Sequence, residues 1–208
     1  MFPITKNEPA YFTQAKRKVS DSNVSDAWSD QNIANIRARL REDILLQEQS
    51  LLCAYCEKEI DDNPDKSNID HYRTRHLFPK NTLDYNNLFV SCNSKVSCSY
   101  IKDNYKLEQN DYQKIVNPVV EDPDDYFEYG FAGDILVKDN LSSSDKIKAE
   151  FTIKVFALDN KSLIETRKSL ALMVKTYVEQ NYLMSEIFSY LNDYKSFIAN
   201  IYNKLQEQ

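Results

Sequence analysis

Cys53-Ala54-Tyr55-Cys56, then Ile69-Asp70-His71-Tyr72-Arg73, then Asn86-Asn87-Leu88-Phe89-Val90-Ser91-Cys92, then Cys98-Ser99-Tyr100-Ile101-Lys102 follow one another in the first half of the chain. Their order decides the fold. Two thiolates separated by two residues can grip one tetrahedral zinc ion, and a second pair brought from a distance closes the shell. The chain has four cysteines, all in these two pairs, so the spacing predicts a structural zinc site at Cys53, Cys56, Cys92 and Cys98. The step from Cys92 to Cys98 is looser than the usual two to four residues. The competing reading is four buried, unligated thiols. A redox role for the Cys53–Cys56 pair would need a surrounding βαβ pattern, which is missing.

Asp70 and His71 lie between the two halves of this knuckle. Phosphodiester hydrolysis needs a base near neutral pH, which histidine supplies, and a cation for the developing phosphorane charge. A hard ion such as Mg²⁺ or Mn²⁺ prefers a carboxylate oxygen. Adjacent residues of a strand face opposite ways, so Asp70 can hold a metal while His71 meets the attacking water. Asn87 can fix the imidazole tautomer, through a loop carbonyl or its own amide. Arg73 and Lys102 can meet phosphates.

Outward from this segment, residues 1–25 are polar and read as an arm. Trp28 to Leu52 reads as a helix, with Ile33, Ile36, Leu40, Ile44, Leu45 and Leu52 at roughly helical spacing. Residues 111–140 are rich in Asp, Pro and aromatics, with short strand-like runs such as Asp134-Ile135-Leu136-Val137. Ser142 to Asp145 reads as a loop leading into a helix. From Ser162 the pattern is helical to the end. Leu183, Ile187, Leu191, Tyr194, Ile198, Ile201 and Leu205 recur at heptad-like steps, as a core-packed helix or, less favoured, a surface for self-association. The fold class is therefore α+β: 1–52 an arm and helix, 53–110 a zinc-stapled ββα-metal module, 111–208 mostly helical and packed on the module or on a partner.

The net charge is −6 and there are only two glycines. No phosphate-cradling glycine loop exists, which excludes a P-loop NTPase. No apolar run approaches the ~20 residues that span a bilayer, and the start of the chain has no apolar signal core. The sequence reads as cytoplasmic and non-membrane. An acidic total suits a nuclease poorly, because phosphate contacts supply most non-specific affinity, and suggests a partner that helps hold nucleic acid.

These residues resemble the HNH endonuclease family. CxxC, Asp-His, Asn-Leu and a second Cys pair followed by a lysine fall at Cys53, Cys56, Asp70, His71, Asn87, Leu88, Cys92, Cys98 and Lys102. More narrowly, the chain is similar to the PtuB type, the nuclease subunit of Septu anti-phage systems that also occurs in retron cassettes. Cys53-Ala54-Tyr55-Cys56-Glu57 and Ile69-Asp70-His71-Tyr72-Arg73 carry this likeness, with weaker matches at Asn117-Pro118, Asp122-Pro123, Thr152-Ile153 and Arg167. The resemblance implies a ββα-metal fold, a divalent cation at Asp70, His71 as general base and a PtuA-like ATPase as partner. Two departures stand out. His76 falls where the family often has part of a Pro-Lys-Ser run, and is a solvated surface residue or a further phosphate contact. Ser99 occupies the third HNH position, usually Asn or His. Either Asp103, four residues on and on the same helical face, replaces that ligand, or water does.

The expected function is metal-dependent cleavage of nucleic acid, DNA favoured and RNA possible, as the effector of an anti-phage complex. The alternative is a non-catalytic, zinc-stabilised adaptor that binds nucleic acid or a partner.

Overall fold

The computed structural model describes residues 1–19 and 26–207. Its elements run α1 (Ala10–Lys16), α2 (Gln31–Ala34), α3 (Arg37–Asp43), β1 (Ser67–His71), β2 (Leu88–Cys92), α4 (Cys98–Asn104), β3 (Phe127–Tyr129), β4 (Ile135–Val137), α5 (Ser143–Phe156), α6 (Lys161–Glu179), α7 (Met184–Tyr190) and α8 (Lys195–Gln206). The class is α+β, with two separate two-stranded antiparallel sheets, β1–β2 and β3–β4.

The β1–β2 hairpin and α4 form a ββα unit. Leu88-Phe89-Val90 is an apolar, β-favouring run, and every residue of β2 is buried. The register pairs Ser67 with Cys92, Ile69 with Val90 and His71 with Leu88. Cys92 thus ends one strand while His71 ends the other, at the opposite end of the hairpin. Cys92 and His71 are held apart by the length of the ladder.

The first 52 residues depart from the expected arm and single helix. Residues 10–16 are helical, and Met1, Ile4, Phe12 and Ala15 are buried in the core. Ile4 donates its amide to the Pro118 carbonyl at 2.7 Å. Lys6, buried, reaches Glu48 at 2.6 Å and the Leu88 carbonyl at 2.7 Å. These polar anchors explain why a polar segment packs: its charges are paired rather than solvated. The part of the expected arm at residues 20–25 lies outside the described residues. The Trp28–Leu52 stretch is broken. Asp30 caps α2 through Asn32, a turn at Asn35–Ile36 separates α2 from α3, and α3 winds on as a π turn over Ile44–Glu48. The wider turn keeps Ile44 and Leu45 in the core alongside Ile33 and Leu40, so the apolar spacing is used without one continuous rod. Left-handed Ser50 and Leu51 then end it.

The C-terminal region is helical as expected, but the heptad-like seam spans two helices. Tyr194 adopts a left-handed conformation between α7 and α8. Ile187, Leu191, Tyr194, Ile198 and Ile201 are buried within this chain, whereas Leu183 is exposed. Helix α6 packs on α8. One contiguous cluster of buried residues draws on all three expected stretches, with Tyr55 of the knuckle stacked on Phe156 of α5 at 4.1 Å. Among the described residues no helix is long and apolar enough to cross a membrane.

Candidate metal centre and histidine cleft

The four cysteines converge. Cys53 and Cys56 lie in the loop before β1, Cys92 ends β2 and Cys98 opens α4. All are buried, and their sulfurs lie within 4.8 Å of one another. Cys53 Sγ is 3.8 Å from Cys98 Sγ, and Cys56 Sγ is 3.9 Å from Cys92 Sγ. A disulfide would need ~2.05 Å, whereas a Zn–S bond of ~2.3 Å in a tetrahedron sets sulfurs ~3.8 Å apart. The cluster thus has the size of a tetrahedral thiolate site and can hold a metal such as zinc. Its turns are built for it. Glu57 and Cys98 take left-handed backbone conformations, and Cys92 points its amide at Cys53 Sγ, 3.3 Å away.

His71 ends β1 with its ring buried. Nε2 lies 3.0 Å from the Thr82 carbonyl, and Trp28 packs edge-on against the imidazole at 4.6 Å. Burial pushes the imidazole down to about 4, against the opposing pull of the Thr82 carbonyl and of Asp70. The ring is therefore neutral at pH 7. Nε2 carries the proton and donates to Thr82, which leaves Nδ1 with a free lone pair; among the described residues Nδ1 has no hydrogen-bond partner.

Asn87 does not touch the imidazole. Its Oδ1 accepts from the Arg73 amide at 2.7 Å, and its Nδ2 donates to the carbonyls of Arg73 and Asn81 at 3.0 and 3.1 Å. It clamps the loop from Arg73 to Thr82 across the end of the hairpin, and the Thr82 carbonyl of that loop fixes the tautomer. Of the two routes open in the sequence, the loop carbonyl is the one the structure uses.

Asp70 and Lys102 are placed differently from the expectation. Lys102, read as a phosphate contact, is fully buried. Its Nζ lies 2.7 and 2.8 Å from the two oxygens of Asp70 and 2.5 Å from the His71 carbonyl, and 3.2 Å from Asp103 Oδ1. Burial alone would push its ammonium down; Asp70 and Asp103 outweigh that and hold it above the usual range. Tyr55 Oη also donates to Asp70 Oδ2. The reason is elementary: a carboxylate in this interior must be paired, and the lysine four residues beyond Cys98 points at it from α4.

Asp70, Ser99 and Asp103 do not form an open ligand set. Asp70 has both oxygens engaged. Ser99 is buried, its amide donating to Ser91 Oγ at 3.3 Å, and it does not line the cleft that Asp70 and Asp103 share. Asp103, exposed, leans on Lys102. The donors therefore do not fit the divalent ion that was expected on them.

A cleft of about 590 Å³ opens over the Asp70–His71 end of β1, walled by Trp28, Asn68, Arg75, His76 and Asp103. His76 lies on this wall. Arg73 is exposed, with its guanidinium over the Phe78 ring at 5.4 Å. Sequence reasoning missed Trp28, Tyr55, Thr82 and Arg75. No local motif marks the first three, since each acts through a contact far along the chain; Arg75 sat beside His76 as a visible cationic neighbour. It missed Gln49 too, a buried side chain that bonds both the amide and the carbonyl of Val90 at 2.8 Å and so serves as a surrogate edge for β2. No family model matches the chain, and no curated protein matches it.

Proposed function

We propose that this chain is a zinc-stapled HNH-type hydrolase of nucleic-acid phosphodiester bonds, with His71 as its general base. The observation that carries the reading is the neutral imidazole of His71. Its Nε2 is anchored on Thr82, its Nδ1 lone pair is free, and it lines a cleft with Arg75 and His76. In this reading Nδ1 takes a proton from water, the resulting hydroxide attacks phosphorus, and the P–O bond to the leaving oxygen breaks as that oxygen takes a proton from solvent water; His71 then returns its own proton to solvent. Arg75 and His76, both exposed, line the same cleft and in this reading bind phosphate oxygens. Zinc on the four cysteines fixes the hairpin to α4 and takes no part in the chemistry.

DNA is the favoured substrate and RNA the alternative, since this set of groups acts on the phosphodiester and does not read the sugar. The acidic total charge fits an effector that relies on a PtuA-like ATPase to hold nucleic acid. The second reading, a zinc-stabilised adaptor without catalysis, draws support from one observation. Asp70 is spent on Lys102 and so is withheld from a catalytic ion.

The test is cleavage of supercoiled plasmid and of single-stranded RNA by the zinc-loaded chain, with and without the ATPase. We expect His71→Ala to slow cleavage at least ~100-fold, the lower end for loss of a general base, with fold and zinc content unchanged. Equal rates for wild type and His71→Ala would demote the chain to the adaptor.

A further inference from the structure

We infer that the ammonium of Lys102 is the resident cation of the Asp70–Asp103 pair, and that it excludes a divalent ion from that pair. The inference concerns metal binding and stands whether or not the cleft cuts nucleic acid.

The ammonium occupies the position a bound ion would need. It touches both oxygens of Asp70, the carbonyl of His71 and one oxygen of Asp103, all at 2.5 to 3.2 Å. That shell of oxygens around one positive centre is cation coordination, supplied by the chain itself. Mg²⁺ demands near-octahedral oxygens at ~2.0–2.1 Å and gives up its waters reluctantly. It would have to enter beside a fully buried positive charge. Tyr55 Oη closes the remaining side of Asp70, and Ser99, the third expected ligand, is buried and does not line the cleft over Asp70.

This arrangement gives Asp70 a different task. It holds Lys102, Lys102 holds the His71 carbonyl, and the pair fixes the backbone that carries the imidazole. Asp70 and Lys102 are thus positioning residues for His71.

The test is a Mn²⁺ titration of the full zinc-loaded chain, reading free Mn²⁺ by electron paramagnetic resonance, for wild type and Asp70→Asn. Circular dichroism and zinc content report the fold of each. We expect dissociation constants that agree within threefold. A weaker constant in Asp70→Asn by more than threefold, in a folded variant, overturns the inference. A measurement on the wild type alone decides the matter if Asp70→Asn does not fold. With substoichiometric Mn²⁺, the amide resonances of His71 and Asp103 should keep their intensity relative to the rest of the spectrum. Their selective loss would place a divalent ion at the pair and overturn the inference.

Discussion

The indole of Trp28 meets the imidazole of His71 edge-on, with centroids 4.6 Å apart and planes at 85°. Trp28 is itself buried, so it is the lid that keeps water from one side of the ring. Removing it should rehydrate the imidazole and reverse the main cause of its depressed value. We expect the His71 ring signal of the wild type to titrate near 4, and Trp28→Ala to move the midpoint up toward 6.5, followed by NMR on a protein with only two histidines. An unmoved midpoint would assign the depression to other neighbours.

The same shift makes folding acid-sensitive. The unfolded chain takes up the His71 proton near 6.5 and the folded chain only near 4, so the unfolded state binds more protons between those values. Stability from this group is fully present above pH 6.5 and is lost as pH falls through that window. At most ~3.5 kcal/mol is involved, at 1.36 kcal/mol per unit. Denaturant midpoints of wild type and His71→Gln, measured from pH 7.5 to 4.5, should converge on acidification.

Metal removal should unfold the hairpin end of the molecule. The four sulfurs are already at zinc spacing, and an unfolded chain offers no preformed site, so binding free energy becomes folding free energy. We expect about one zinc per chain by elemental analysis, and a large fall in melting temperature on chelation. Cys53→Ser, Cys56→Ser, Cys92→Ser and Cys98→Ser should each reproduce that fall. A metal-free protein with an unchanged melting temperature would leave the cysteines as plain core residues.

The convergence of the four cysteines was legible because its information is local. Residue type and spacing at Cys53, Cys56, Cys92 and Cys98 specify a tetrahedral cage almost regardless of what surrounds it. The helical C-terminal region was legible for the same kind of reason, from periodicity. The state of Asp70 was not. Its role depends on Lys102 and Tyr55, which lie 32 and 15 residues away, and on burial that no spacing encodes. The breaks in the Trp28–Leu52 stretch escaped too. Apolar spacing is nearly the same for one rod and for two short helices with a π turn. The N-terminal anchors rest on pairings of Lys6 with Glu48 and Leu88, again distant in sequence.

The final expectation concerns the C-terminal seam. Truncation after Asn181 removes α7 and α8, and with them the buried side chains of Ile187, Tyr194, Phe197, Ile198 and Ile201. At ~1.5–3 kcal/mol for each large apolar side chain, the loss is comparable to the whole stability of a domain, about 5–15 kcal/mol. The cut also strips the knuckle of support. Tyr194 donates its amide to the Glu57 carbonyl at 2.8 Å, and Ser196 donates its own to the Glu57 carboxylate at 2.8 Å, directly beside Cys56. We therefore expect the truncated chain to lose zinc and aggregate, read by elemental analysis and size-exclusion chromatography. A folded, zinc-bearing monomer made by truncation of a full-length oligomer would instead make the seam a self-association surface. Only the exposed part of that seam, at Leu183, is free to serve such a surface while the fold stands.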